Sequence, residues 1–167
     1  MPSADEQLNG LVIQARSLQP RTIALRRALH RRPEIGLELP HTRDAVVTAL
    51  ADLPIAVHLG RSSSSVTGVL EGARPGPTVL LRADMDALPL QEQTTLKYRS
   101  EIDGRMHACG HDTHVAMLAS AARLLAERRD KLAGRVLFMF QPGEEGYHGA
   151  RHMIDEGLLD TSGPAGR

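Results

Sequence analysis

Three short segments concentrate the side chains able to do chemistry: Asp84-Met85-Asp86, the run Cys109-Gly110-His111-Asp112-Thr113-His114, and Glu144-Glu145. A thiol and an imidazole two residues apart can converge on one small target. Gly110 between them admits backbone angles that strain other residues. Thiolate and imidazole together suit zinc and other borderline-soft first-row metals. The run also stands at the start of a helical pattern, where the helix dipole favours thiolate. Asp84 and Asp86 share a face if the chain is extended there, and a carboxylate on that face can bind a metal or hold a ligand histidine by its second nitrogen. Adjacent residues of an extended chain point in opposite directions. Glu144 and Glu145 are therefore expected to divide their labour, one on a metal and one facing substrate. Metal-assisted hydrolysis needs that division, a ligand set plus a separate general base. Each feature alone has a plainer reading. A free cysteine is often simply buried, a lone histidine is often a satisfied core residue, and paired acids often cap or solvate a turn. The three together favour the metal. His107, His114, His148 and His152 are weaker candidates, the last two reading as a surface pair.

The elements that must position these residues follow from pattern and punctuation. Residues 4–18 and 20–32 read as two helices, with Pro20 in the first turn of the second. Pro33 ends it. A further helix starts near Pro40 and Thr42 and carries Val46, Val47, Leu50 and Leu53 on its apolar face, until Pro54 stops it. VTGVLEG (66–72) and TVLLRAD (78–84) read as strands, and the intervening ARPGP marks a turn, so a hairpin is expected. LLRAD shows little alternation, which predicts a strand buried on both faces. Asp86 to Arg105 is a long polar segment, and loops of that length are uncommon unless functional. A helix is expected from about Asp112 to Arg128, a buried strand over GRVLFMFQ (134–141), and a short helix over 149–156 closed by Gly157. Ser62 to Ser65 read as a turn, and residues after Leu159 have linker composition. Helices, hairpin, helix, strand and helix add up to an α/β sandwich with a mixed sheet. Each chemical segment then follows a strand or begins a helix, where α/β folds collect ligands.

Composition narrows the class of function. Lys plus Arg and Asp plus Glu number 20 each, so the basic excess of a nucleic-acid binder is missing. The clusters Arg26-Arg27 and His30-Arg31-Arg32 read as a solvated helix face. The single cysteine excludes an intrachain disulfide and fits a reducing compartment. The polar, acidic first residues do not read as a signal peptide, and no apolar run approaches a membrane span. A cytoplasmic protein without a membrane partner is expected.

LRADMDALPLQE (81–92), MHACGHDTHVAMLASAARLL (106–125) and VLFMFQPGEEGYHGARHMIDEGLL (136–159), with LRRALHRRPEIGLELPHT (25–42), resemble the aminoacylase and zinc carboxypeptidase type of metallopeptidase family. The likeness is to its hippurate hydrolase-like branch of N-acyl-amino-acid amidohydrolases. That resemblance implies an α/β/α sandwich of the zinc-exopeptidase type with a mixed sheet, incomplete here. It implies two divalent ions, zinc or manganese, with Cys109, His111 and Glu145 as metal ligands, Glu144 as general base and Asp86 as the aspartate that orients the site. Asp84 stands where the wider family has a ligand histidine and is not counted as a ligand. The implied reaction is attack of water on an N-acyl amide, releasing a carboxylate and an amino acid or diamino acid, so the implied partner is a small amide substrate. Members of the family are often homo-oligomeric. They continue well beyond the length of this chain, through two further ligand histidines and a lid or dimerisation domain. The expectation is thus that residues 1–159 form the N-terminal part of the catalytic domain and 160–167 a linker-like end. Two other readings stand beside this one: a non-catalytic remnant that binds metal weakly, and a cysteine hydrolase built on Cys109, in which the two glutamates would have no role.

Overall fold

In the computed structural model, residues 4–160 are described. They form α1 (Ala4–Arg31), α2 (Pro40–Leu50), β1 (Ala56–Leu59), β2 (Val66–Glu71), β3 (Arg74–Asp84), α3 (His111–Ala126), β4 (Ala133–Gln141) and α4 (Gly149–Asp155), with a single 3-10 turn over Arg129–Lys131. The four strands make one mixed sheet in the order β1-β2-β4-β3. β4 runs antiparallel to β2 and parallel to β3. The α/β class and the mixed sheet are as expected from the sequence. Of the linker-like end expected over 160–167, residues 161–167 lie outside the described residues.

Alternation along β4 explains the layers. Phe138 and Phe140 point to one face, where they pack with Val66, Leu70, Ala83, Leu29 of α1, Val46 and Leu50 of α2, and Val115, Leu118 and Ala122 of α3. Leu137 and Met139 point to the other face, against Val69, Met153 of α4 and Leu158. Three helices therefore cover one side of the sheet and one short helix the other. Gly157 closes α4 with φ of 94°, and the next amide, that of Leu158, reaches back to the Met153 carbonyl, the ending that glycine makes easy.

Three local expectations are corrected. β2 and β3 are not a hairpin: β4 lies between them and pairs with both. The hairpin's expected turn over ARPGP (73–77) is also shorter than read, because only Ala73 bends and Arg74 to Pro77 already belong to β3; the seat beside each strand is taken by a segment about sixty residues on. β3 is not buried on both faces. It is an edge strand with Val79 50% and Leu80 40% exposed, and only its end at Ala83 is buried. The central, buried strand is β4, and the open hydrogen-bonding edges of this sheet belong to β1 and β3. Finally, the two N-terminal helices are one helix with Pro20 inside it. A proline costs one backbone bond there, but both halves face α3. Val12 and Ala15 before Pro20, and Thr22 and Ile23 after it, line a groove with Met117, Ser120 and Leu124.

Two carboxylates tie the loops that frame the site. Glu34 is buried and caps α2 from a distance: its oxygens accept the His41 and Thr42 amides at 3.1 and 2.8 Å and the Thr42 hydroxyl at 2.9 Å. α2 has no side-chain cap of its own, so Glu34 satisfies amides that the helix start leaves free. Glu92 organises the long polar segment by accepting the Ser100 amide at 2.6 Å and facing His30 Nε2 at 3.3 Å. Burial opposes its charge, but the Ser100 amide, the Thr94 hydroxyl and His30 outweigh burial and lower its pKa. The segment is thus an ordered loop, closed by a bridge between Leu88 and Met106. The serine run is less a surface turn than a packed one, with Ser63, Ser64 and Ser65 buried.

Candidate metal centre

β3 and β4 are parallel neighbours, so their carboxyl ends open at the same edge of the sheet, with Asp84 paired to Gln141. Asp84-Met85-Asp86 leaves one strand end and Glu144-Glu145 the other. The amino end of α3 meets them there. Gly110 supplies the N-cap in a left-handed conformation, φ 83° and ψ 18°, and this turn delivers His111 at the first helical position.

His111 is buried and is the hub. Its Nδ1 lies 2.8 Å from the Asp86 carbonyl and 3.4 Å from Asp86 Oδ1. This leaves Nε2 to face Glu144 Oε2 at 3.8 Å and Glu145 Oε1 at 4.0 Å. Asp86 is itself buried, and its Oδ2 accepts the Glu145 amide at 2.9 Å. One aspartate therefore orients both the histidine and the glutamate loop. Burial opposes the Asp86 charge, but His111 and the amides of Glu145 and Glu144 outweigh it and lower the carboxyl pKa. Burial likewise opposes charge on His111, and the Asp86 side chain and carbonyl outweigh it and raise the imidazole pKa.

The two glutamates do not point in opposite directions. Residues 144–146 form a turn, with the Gly146 amide on the Glu144 carbonyl at 2.7 Å, so the alternation of an extended chain does not apply. Both carboxylates face His111, Glu144 with 41% and Glu145 with 23% of its side chain exposed. Cys109 is exposed and is not a low-pKa thiol. A hydrogen bond to the Glu145 carboxylate, then burial, then the charges of Glu145, Glu144 and Asp86, push it up to about 11. The carboxylates overrule the helix dipole. Among the described residues, one ligand atom each from His111, Glu144 and Glu145 lies within 4.8 Å of the others, and so do atoms from Asp84, His111 and His114. Cys109 joins neither group, although it touches Glu145. His148 and His152 join neither.

These residues fit a divalent ion on their own evidence. Two carboxylates converge on one buried imidazole, a third holds that imidazole from behind, and Asp86 Oδ1 has no hydrogen-bond partner. A cation in this space would satisfy a concentration of negative charge that its neighbours leave uncompensated.

A second polar layer lies beneath the site, and sequence spacing did not reveal it. Asp112 is fully buried and its Oδ2 meets Arg26 Nε at 2.7 Å and His30 Nδ1 at 2.8 Å. His107 is buried beside it, and neither of its ring nitrogens has a partner within the described protein. Burial, with smaller opposing effects from nearby charges, lowers its pKa to about 4. His107 was expected only as a weak site candidate. Its place makes it a neutral, packed ring behind His111.

A pH dependence follows, with a definite sign. The unfolded chain protonates His107 near the ordinary 6.5, and the folded protein only near 4. Stability from this residue is therefore complete above about pH 6.5 and falls as pH drops toward 4, by up to about 3 kcal/mol. His111 works in the opposite direction, its raised pKa favouring the folded state at low pH. The expected result is that metal-free His107→Leu loses less stability than the parent between pH 6.5 and 4. Parallel urea-denaturation curves across that range would refute it.

Comparison with known proteins sets this geometry in a class. The sequence signature described as "Peptidase family M20/M25/M40" matches residues 80–166, which is more than half of the chain. Thermostable carboxypeptidase 1 of Saccharolobus solfataricus is 43% identical over 87% of this chain and 38% of its own length. The IAA-amino acid hydrolase ILR1-like 5 of Arabidopsis thaliana is 43% identical over 84% of this chain and 32% of its own length. The N-acetylcysteine deacetylase of Bacillus subtilis is 40% identical over 87% and 38%. Among solved structures, YXEP of Bacillus subtilis, described as a dinuclear metal binding peptidase, superposes with a TM-score of 0.82 at 39% identity, covering 87% of this chain and 41% of that one. The chain belongs to the M20 peptidase family, in its amidohydrolase branch. It spans well under half the length of these relatives.

Proposed function

We propose that this chain carries the metal-site portion of an enzyme that hydrolyses the amide bond of N-acyl amino acids. The observation behind this reading is the convergence of Glu144 and Glu145 on His111 Nε2, with Asp86 holding the other side of the ring. Cys109, His111 and Glu145 would hold metal, in a two-ion site with zinc or manganese, as dinuclear binding in a relative suggests. When bound, the ions supply Lewis acidity toward the amide carbonyl and toward water. The chain's own residues do the rest. Asp86 fixes the tautomer and direction of His111 through its carbonyl and carboxylate. Glu145, tied by its amide to Asp86, is the more buried glutamate and suits a fixed ligand. Glu144 is the more open one and suits a base that takes a proton from water and hands it to the leaving nitrogen. The names of relatives, acting on acetylated cysteine or on amino-acid conjugates of IAA, favour N-acyl amino acids as the substrate class.

A cysteine hydrolase, which would work without metal, is opposed by the carboxylates beside Cys109, which push the metal-free thiol up to about 11 and disfavour the thiolate nucleophile. The test joins this chain to the remaining portion of a relative and assays N-acetyl and N-benzoyl amino acids beside unmodified dipeptides, before and after chelation. Metal-restored turnover of the acyl amino acids is expected. Preference for dipeptides would shift the reading to a peptidase, and turnover that survives chelation would end it. Complete inactivity would leave the non-catalytic reading.

A further inference from the structure

Tyr147 and His148 follow the two glutamates, and neither has a part in the reading above. Among the described residues, His148 is the one non-glycine residue in the left-handed region, with φ 56° and ψ 35°. Such a conformation persists where the surroundings over-determine it, and here they do so on both sides. After His148, the Gly149 amide reaches the Gly143 carbonyl at 3.1 Å and closes residues 143–149 into a loop around both glutamates. Gly149 is wedged there, since a Cβ on it would stand 1.6 Å from the Pro142 carbonyl oxygen. Before His148, the Tyr147 ring rests on Gly36, where a Cβ would stand 3.3 Å from Cε1. Leu37 fills the next place, where a Cβ on Gly143 would meet its methyl at 2.7 Å.

Residues 34–37 are a firm seat for that ring. The Glu34 carbonyl accepts the Ala87 amide at 2.7 Å, one residue beyond Asp86, and the Leu37 carbonyl accepts the Ser64 amide at 2.9 Å. One stretch of chain therefore touches both the segment that carries Asp86 and the turn that carries Glu144 and Glu145. The turn itself is pliant. Gly143 and Gly146 lie at φ 62° and 89°, and glycine resists little when its backbone rotates. Its place must come from outside contacts, of which the Glu145 amide on Asp86 Oδ2 is one. We propose that Tyr147 is a positioning residue: seated on Gly36, it sets the distance of both glutamate carboxylates from His111. The contact is made by the ring carbons Cδ1, Cε1 and Cζ, so the hydroxyl is dispensable. A displacement on the order of 1 Å in such groups can cost about a hundredfold in rate.

The proposal rests on the reading of these glutamates as ligand and base, but its test needs neither metal nor turnover, so the two can fail separately. Amide hydrogen exchange and ring resonances are followed by NMR in the purified metal-free chain, labelled with nitrogen-15. In Tyr147→Ala the Glu145 amide should exchange tenfold or more faster than in the parent, while the Leu137 amide of the central strand keeps its rate. The His111 ring resonances should shift as the carboxylates move. Tyr147→Phe should match the parent in all three. Tyr147 is 46% exposed, so its loss should leave the fold intact, and the Leu137 rate verifies this. Unchanged Glu145 exchange or unchanged His111 resonances in Tyr147→Ala would overturn the proposal. So would equal acceleration at Leu137, or a Phe variant that behaves like the Ala one.

Discussion

Glu144→Gln, in a complete enzyme made by joining this chain to the remaining portion of a relative, is expected to retain its metal and lose about a hundred- to ten-thousand-fold in turnover. That range is what a positioned general base contributes. Glutamine keeps the volume and the carbonyl oxygen but cannot accept a proton at neutral pH. The metal should remain because Glu145 is the less exposed glutamate, with its amide on the orienting aspartate and its carboxylate in contact with Cys109. The loss should fall on kcat, with KM little changed, since a base acts in the transition state rather than in binding. Metal analysis beside steady-state kinetics separates the outcomes. Near-normal kcat would remove Glu144 from the role. Loss of metal would mean that the two glutamates have exchanged parts.

The sequence exposed the chemistry better than the connections. Asp86, His111 and Glu145 were legible because each leaves a strand end or a helix start within a few residues of an unambiguous pattern, and parallel β3 and β4 bring such ends together. The interleaving of β4 between β2 and β3 was not legible. Pairing depends on which segment wins a strand edge, and nothing local to the turn after Glu71 encodes a partner beginning at Ala133. The direction of the Cys109 pKa was misjudged for the same reason. The helix start is local and visible, whereas the carboxylates that overrule it arrive from residues 86, 144 and 145. His30 was read with Arg31 and Arg32 as part of a solvated face. It is buried, because Asp112 and Glu92 give its two nitrogens partners 82 and 62 residues away.

That buried layer yields the largest expected effect on stability. Asp112→Ala should destabilise the chain by about 3–5 kcal/mol, the cost of breaking a buried charge pair by removing one partner. Asp112 has no exposure and meets both Arg26 and His30 through Oδ2. Arg26 is 29% exposed and can turn toward water, so its share of the cost is the smaller one. His30 cannot turn: it is 4% exposed and held on its other side by Glu92. Against a total stability of about 5–15 kcal/mol for a domain of this kind, the loss should bring a large fraction of the chain close to unfolding. Asp112→Asn should cost less, because its amide oxygen can still accept a hydrogen bond from His30 or Arg26. Arg151→Ala, which removes an exposed pair with Asp155 at 3.7 Å, should change stability by no more than about 0.5 kcal/mol. Urea denaturation of the three variants at pH 7 reads the order directly. If Asp112→Ala proves no worse than Arg151→Ala, the buried layer is not what fixes the amino end of α3. The orientation of His111 would then rest on Asp86 alone.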